Sequence, residues 1–191
     1  NGGGFWLGGG IDNPSPLAPE GAGDVVDVGE MEPVYLFSGE FYTSFVDLRI
    51  PGRGIDFVWA RTHRSRLSKS TAMGEAWDYS YNIHVEEDFL GNLVLHDGNT
   101  RRDVFQNNGS GTFIADGLFS TGSVETDGAI VFTFPSNGRW VLHPLDGSNQ
   151  AGRIQRIEDR NGNRLLFSYN STGRLERVTD TLDRDITIQY N

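Results

Sequence analysis

The stretch GRIQRIED at residues 152–159 returns as GRLERVTD at residues 173–180, an offset of 21 positions. Each copy is followed by a turn and then by an alternating segment that ends in a Tyr-Asn pair, at 169–170 and at 190–191. Self-similarity at a fixed period of this length is typical of repeat architectures. We therefore interpret residues 149–191 as two 21-residue repeats, each one a β-hairpin of two short strands.

The repeated positions suggest how such a hairpin is built. A glycine permits the turn, apolar residues three apart provide a buried face, and a tyrosine closes each strand with an amphipathic ring. One hairpin is not stable alone, so each must stack on its neighbours and pair its edges with them. The residues that define the repeat are Gly152, Arg153, Asp159, Tyr169, Gly173, Arg174, Leu175, Asp180 and Tyr190.

Upstream of the repeats, from Met31 onward, short runs alternate with period two and are separated by Gly, Asn and Asp about every ten residues. No segment of ten or more residues carries a helical stripe. Three dipeptides predict tight hairpin turns, because both of their residues tolerate positive φ: Asp97-Gly98, Asp127-Gly128 and Asn161-Gly162. The predicted strands are 41–50, 55–62, 79–86, 92–96, 124–125 paired with 130–134, and 164–169.

The repeat resembles the YD-repeat, or Rhs-repeat, family, whose unit reads roughly YDxxGRLxxVTD. Residues 169–180 read YNSTGRLERVTD. The chain differs by having Asn in place of Asp at 170 and again at 191. This change removes a charge but keeps an acceptor that can cap the turn, so it leaves the predicted fold intact.

A second resemblance covers residues 32 to about 105, which look like the domain that precedes the repeats in bacterial Rhs proteins. We place this N-terminal domain at residues 31–148. Together the two resemblances imply an all-β fold in which antiparallel hairpin repeats form a curved, spiralling sheet. The residues that carry this second resemblance include Pro33, Gly39, Pro51, Gly52, Arg53, Gly54, Arg61, Trp77 and Tyr81.

In that family the sheet closes into a hollow shell around a toxin or another cargo, and catalysis belongs to a variable domain beyond the repeats. The resemblance therefore implies a non-enzymatic structural module of such a shell or scaffold. Its expected partners are further repeats of the same parent chain, identical subunits bound by β-edge pairing, and an enclosed toxin domain. Two repeats are too few to close a cavity around another domain.

Two other functions remain open from the residues. The chain could be a self-assembling extracellular subunit that polymerises by β-strand addition, because a terminal strand at 186–190 would present an unpaired edge. It could also be a surface adhesin that binds carbohydrate through Trp59, Trp77 and Trp140, although aromatic residues at alternating strand positions usually pack in a core.

Residues 1–30 form a Gly- and Pro-rich segment with Phe5, Trp6 and Leu7 between two glycine triplets. It is either a flexible leader or a docking segment in which these three side chains anchor the chain in an apolar groove. The chain starts with Asn1 rather than Met, and we interpret it as part of a longer protein.

The composition excludes some classes of partner. The formal net charge is −10 and the pI about 4.7, which argues against binding to nucleic acid. Lys69 is the single lysine among 16 basic residues, so the remaining arginines favour bidentate pairing with carboxylates. There is no cysteine and no apolar run long enough to span a membrane. With the family resemblance, this indicates a secreted or cell-surface bacterial protein.

The sequence predicts no enzyme, no cofactor and no metal site. The four histidines, His63, His84, His96 and His143, lack metal-ligand spacing, and no second type of ligand clusters with them. Residues 86–88 are consecutive carboxylates that should point to alternate faces of a strand. The segment 159–163 is explained better as a hairpin turn than as a calcium loop, and no serine lies in a Gly-x-Ser-x-Gly elbow.

Overall fold

The computed structural model describes residues 34–35 and 39–190, which form seventeen β-strands and no helix. Every strand pairing is antiparallel, so the predicted all-β antiparallel fold is confirmed. The predicted docking residues Phe5, Trp6 and Leu7, together with Pro33, lie outside the described residues. The strands are β1 (Val34–Tyr35), β2 (Glu40–Ile50), β3 (Phe57–Arg64), β4 (Ser70–Thr71), β5 (Gly74–Glu75), β6 (Trp77–Tyr79), β7 (Ile83–Glu87), β8 (Leu93–Asp97), β9 (Arg102–Asn107), β10 (Thr112–Ile114), β11 (Thr121–Val124), β12 (Ile130–Thr133), β13 (Arg139–Leu142), β14 (Ile154–Glu158), β15 (Arg164–Tyr169), β16 (Leu175–Thr179) and β17 (Asp185–Thr187).

The strands form three sheets. A four-stranded sheet has the order β1-β2-β3-β6, and β4 pairs with β5 in a small ribbon. The third sheet has eleven strands that follow one another in chain order from β7 to β17. A meander of this kind needs only short hairpin connections, which explains the turn residues at about ten-residue spacing. The predicted boundary at 148/149 lies inside this sheet, between the paired strands β13 and β14.

The strand predicted at residues 79–86 is wrong as a single element. β6 ends at Tyr79 in the four-stranded sheet, and β7 begins at Ile83 in the eleven-stranded sheet. Between them the backbone turns, because the amide of Asn82 donates to the carbonyl of Tyr79 at 2.9 Å. The side chain of Asn82 also donates to Asp78 Oδ1 at 2.7 Å. These local hydrogen bonds move the chain from one sheet to the other.

The large sheet curls until its first strand meets the chain just before β14. The amide of Val85 in β7 donates to the carbonyl of Gly152 at 2.8 Å, and His84 forms an isolated antiparallel bridge with Arg153. The strands β14 to β17 continue beyond this contact. The sheet therefore passes its own starting edge, as expected for a spiral.

The core lies between the two larger sheets. Phe57 and Tyr81 from the region of the small sheet are buried in one cluster with Phe132 and Ile157 of the large sheet. The opposite face of the large sheet carries arginines that pair with carboxylates of the same strand and of neighbouring segments. Arg139 contacts Glu125 at 3.6 Å and Glu158 at 3.8 Å, and Arg156 contacts Glu158 at 2.7 Å.

The predicted hairpin turns exist, and the glycine is the residue of each predicted pair that has positive φ. In the turn from β11 to β12, Gly128 donates to the carbonyl of Glu125 at 2.9 Å, and Glu125 donates to Ala129 at 2.8 Å. Gly128 has φ 85°, and Asp127 is not among the residues with positive φ. This is a type I turn closed by one left-handed residue. The turn at Asn161-Gly162 has the same form, with positive φ at Gly162 only.

Candidate functional site: the repeats and their junction with the N-terminal domain

The tyrosine of each repeat makes the same hydrogen bond. The hydroxyl of Tyr169 donates to the carbonyl of Ile154 at 2.7 Å, and that of Tyr190 donates to Leu175 at 2.8 Å. Both residues of the second pair lie 21 positions after their counterparts. Burial raises the pKa of both tyrosines, so the hydroxyls remain protonated donors. The tyrosine therefore ties the end of each hairpin to the strand that began it.

The repeat arginine packs against the same ring. The guanidinium carbon of Arg153 lies 5.8 Å from the ring centroid of Tyr169, and that of Arg174 lies 5.2 Å from Tyr190. Arginine over an aromatic face is a favourable cation–π geometry. The Arg and Tyr positions of the motif thus form one structural unit rather than two separate contacts.

The first residue of each repeat turn stabilises the turn with a side-chain oxygen that accepts backbone hydrogen bonds. A side-chain oxygen of Asp159 accepts from the amides two and four residues further on, at 2.8 and 2.9 Å, and Asp180 does the same at 2.8 and 3.0 Å. Asn170 makes both equivalent bonds at 3.0 Å. The predicted acceptor role of Asn170 is confirmed, and the motif tolerates it because the carbonyl oxygen does the capping. Segment 159–163 is a hairpin turn, as predicted.

The turn aspartates are ionised at neutral pH. Burial would raise the pKa of Asp159, but hydrogen bonds from Asn163 and Asn161 outweigh burial and hold the pKa below its usual value. The pKa of Asp180 is lowered in the same way, with Arg184 as the main hydrogen-bond donor. A charged acceptor strengthens its hydrogen bonds to the turn amides.

The repeat glycines occupy places with no room for a side chain. Gly152 has φ 68° and Gly173 has φ 76°, a region that L-residues rarely adopt. A Cβ at Gly152 would collide with the carbonyl oxygen of Val85, and one at Gly173 would collide with that of Asn149. Gly152 therefore permits the contact at which the sheet passes its own starting edge.

The loop Pro51–Gly54 is where the N-terminal domain touches the repeats. A Cβ at Gly54 would meet the side chains of Asn163 and Asp159, and the carbonyl of Pro51 accepts from Arg184 at 2.7 Å. Both contacts involve repeat turns. The PGRG stretch of the N-terminal domain is thus packed on the corresponding turn of each repeat, at 159–163 and at 180–184.

The four positions of this loop play different roles. Gly52 donates its amide to Asp56 at 3.0 Å, and a Cβ there would collide with the carbonyl of Ile55. Hydrogen bonding from Gly52 is the main cause that lowers the pKa of Asp56, and Arg49 adds to it. Arg53 is exposed. The glycines therefore serve close backbone packing, whereas Arg53 is exposed and makes none of the junction contacts described above.

The aromatic residues of the N-terminal domain complete the junction. The Tyr81 hydroxyl accepts from the amide of Val58 at 2.8 Å, and the Tyr81 ring lies 5.1 Å from Phe167 of the first repeat. Tyr81 is almost fully buried. This single side chain therefore joins the small sheet to the repeats.

Other predicted residues lie away from the junction. Arg61 pairs with Asp47 at 2.5 Å and lies 5.2 Å from the ring of Trp77. Gly39 has φ 63° in the turn before β2. Of the tryptophans considered for sugar binding, Trp140 is buried in the core, whereas Trp59 is partly buried and stacks on Tyr79 with ring centroids 5.1 Å apart.

The expectation that the histidines are scattered is wrong for two of them. His84 in β7 lies directly opposite His96 in β8, and their rings stack with centroids 4.3 Å apart. Glu86 projects from the same face of β7, and its carboxylate lies 3.7 Å from His84 Nε2 and 4.0 Å from His96 Nε2. A second type of ligand therefore does cluster with the histidines.

The sequence contained a signal for this cluster. His84 and Glu86 are two residues apart, so they share one strand face, and a turn at Asp88–Asn92 would bring His96 back beside them. The register of that hairpin had to be assigned before the cluster could be found. The contact of Arg184 with Pro51 had no comparable signal, because it joins residues 133 positions apart.

Comparisons with known proteins assign both parts of the chain. Residues 31–105 match the model of a domain of unknown function, DUF6531, and residues 149–184 match the RHS repeat. No curated protein matches the chain. Among the described residues, no helix is long and apolar enough to cross a membrane. The two matched regions stand in the order of the two resemblances in the sequence, and the second includes the tyrosine, arginine, aspartate and glycine contacts of the first repeat. Residues 149–184 are therefore RHS repeats that follow a DUF6531 domain, an arrangement consistent with an Rhs/YD-repeat protein.

Proposed function

We propose that this chain is a non-enzymatic structural module that starts a β-sheet shell or scaffold, which encloses and delivers a toxin or another cargo. The carrying observation is the contact of Val85 with Gly152, where the sheet passes its own first strand while β14 to β17 continue. Each further repeat would add one hairpin to this spiral. Rhs-repeat proteins are structural modules that are generally extracellular or at the cell surface, and a secreted bacterial origin fits this role.

The junction supports this proposal. The loop Pro51–Gly54 is packed on the turns at Asp159–Asn163 and Asp180–Arg184, so the N-terminal domain contacts both repeats at once. A domain placed in this way fixes where the spiral begins and how far apart these two hairpin turns lie. Polar motif residues are used for hydrogen bonds within the sheet, which accounts for them without catalysis.

A continued shell and a self-assembling fibre differ in what pairs with the open side of strand β17. This strand pairs with β16 on one side, and Ile188 donates to the carbonyl of Glu176 at 2.8 Å. Because antiparallel amides alternate in direction, those of Asp185 and Thr187 point to the other side. This open side favours edge pairing, either with further repeats or with a second copy of the chain.

Hydrogen exchange at the amides of Asp185 and Thr187 tests these two alternatives. We would compare the 191-residue chain at two concentrations with the product of its complete gene. A continued shell predicts protection only in the complete product, whereas a fibre predicts protection in the 191-residue chain that grows with concentration. Unprotected amides in every sample would overturn both.

Enclosure of a cargo needs a separate test. In the complete gene product, a domain outside the repeats should resist a protease as long as the sheet is intact. It should be cleaved in a Gly152→Val variant, which opens the spiral at its first contact. Equal cleavage in both proteins would contradict enclosure and leave a scaffold role.

A further inference from the structure

The cluster of His84, Glu86 and His96 lies on one face of the β7–β8 hairpin, apart from the junction described above. Its three ligand atoms all lie within 4.8 Å of one another. His84 and His96 are largely buried, with side chains 18% and 19% exposed, whereas Glu86 is 66% exposed. A solute can therefore approach the two imidazoles from the side of the carboxylate.

The two imidazoles present suitable lone pairs. His84 Nδ1 lies 2.8 Å from the carbonyl oxygen of Asn82, and because a carbonyl only accepts, Nδ1 carries the proton. The lone pair of His84 is then on Nε2, which faces Glu86. A backbone carbonyl that fixes the other ring nitrogen is the usual support of a metal-binding histidine. His96 Nε2 is buried and has no hydrogen-bond partner, so a polar atom remains unsatisfied at the centre of the cluster.

We propose that His84, Glu86 and His96 bind one divalent cation of the late first transition series, such as Zn²⁺, with at least one coordination position left open. Two imidazoles and one carboxylate are a ligand set that zinc accepts. Calcium and magnesium prefer oxygen ligands and would bind poorly to two nitrogens.

Binding one ion requires all three side chains to adjust. Ligand atoms about 2.0–2.1 Å from a tetrahedral zinc ion are roughly 3.3 Å apart. The carboxylate-to-imidazole distances of 3.7 and 4.0 Å exceed this by less than about 1 Å. Glu86 is exposed and can rotate. The two imidazoles stack 4.3 Å apart and within 4° of parallel, so they must tilt for both Nε2 lone pairs to point at one ion.

The surrounding charges act in two directions. Lys69 lies near both histidines. Lys69, Arg102 and Arg153 repel a cation. Glu86 offsets part of this repulsion. The affinity for a cation therefore depends on direct coordination by the three side chains and not on a negative electrostatic potential around the site.

Titration calorimetry of the untagged 191-residue chain with ZnCl₂ tests the site directly. We expect saturable binding of about one ion per chain. His96→Asn and Glu86→Gln should each weaken zinc binding at least about tenfold. Substitution of a residue that only supports a metal ligand already costs about this much, and these two residues would be ligands themselves. Cobalt should bind at the same site and develop a visible spectrum that zinc abolishes, and excess Ca²⁺ or Mg²⁺ should not compete.

Two matched variants control for other binding groups. His143→Asn removes another histidine whose Nε2 is buried without a hydrogen-bond partner, and Glu87→Gln removes the next carboxylate, on the opposite strand face. Both should bind zinc as the unmodified chain does. Thermal unfolding in EDTA checks that each variant is folded. The proposal is overturned if the chain binds neither zinc nor cobalt saturably, or if His96→Asn and Glu86→Gln bind no more weakly than the controls.

Discussion

The hydroxyl of Tyr169 donates to the carbonyl oxygen of Ile154 at 2.7 Å, and 21 residues later Tyr190 and Leu175 repeat this bond at 2.8 Å. The two repeats, which are 21 residues apart in the sequence, therefore form the same hydrogen bond in the structure. The bond joins the end of each hairpin to the first residue of the strand that began it, so it limits how far the two strands of one hairpin can slide past each other.

Tyr169→Phe should lower the free energy of unfolding by about 1–2 kcal/mol, because the carbonyl of the fully buried Ile154 loses its donor. Tyr190→Phe should cost less, since Tyr169 packs against the main core and Tyr190 lies near the edge of the sheet. Urea unfolding of both variants measures the difference. Equal costs would show that the position in the spiral does not matter.

Gly152→Ala should destabilise the protein by more than about 2 kcal/mol, because the new Cβ meets the Val85 carbonyl in addition to the strain of positive φ. Gly162→Ala is the control: Gly162 has φ 81° with nothing within 4 Å of its Cβ position. It should cost about 1–2 kcal/mol from backbone strain alone. Similar losses in the two variants would argue against a tight contact at the spiral overlap.

Gly54→Val should separate the N-terminal domain from the repeats, since its side chain would collide with Asn163 and Asp159. We expect faster hydrogen exchange in the turns at 159–163 and 180–184 together with a loss of stability. Arg53→Ala, in the same loop but exposed, should change stability by less than about 0.5 kcal/mol. The junction would be unimportant if both variants behaved alike.

The histidine cluster predicts a pH dependence of stability between about pH 6.5 and pH 4. Burial, then His84 and Lys69, lower the pKa of His96 to about 4, whereas an unfolded histidine titrates near 6.5. As the pH falls through this window, the unfolded state takes up a proton that the folded state does not, so stability decreases. Urea unfolding at pH 7 and pH 5 in EDTA should show a larger loss for the unmodified chain than for His96→Asn.

Asp97 opposes this trend without obscuring it. Burial raises the pKa of Asp97 to about 6, so its protonation favours the folded state as the pH falls from 6 towards 4. Both proteins in the comparison contain Asp97, and its contribution cancels in the difference. A His96→Asn variant with the same pH dependence as the unmodified chain would contradict the depressed pKa.

The sequence by itself determined the fold class, the repeat and the turn acceptors. Period-two alternation and Gly-containing turns are local properties, and the 21-residue identity of Gly152 with Gly173 and of Tyr169 with Tyr190 needs no knowledge of long-range contacts. Asn170 could be assigned its role because an acceptor oxygen at that position bonds amides only two and four residues away.

Only the tertiary structure decided which distant residues meet. The change of sheet between Tyr79 and Ile83, the packing of Gly54 on Asn163, the overlap of Val85 with Gly152 and the cluster of His84, Glu86 and His96 all depend on strand register and sheet curvature. Shifting an antiparallel register by one residue moves every side chain to the other face. Contacts between strands far apart in the chain therefore follow from the summed twist and packing of the whole sheet, which no local pattern specifies.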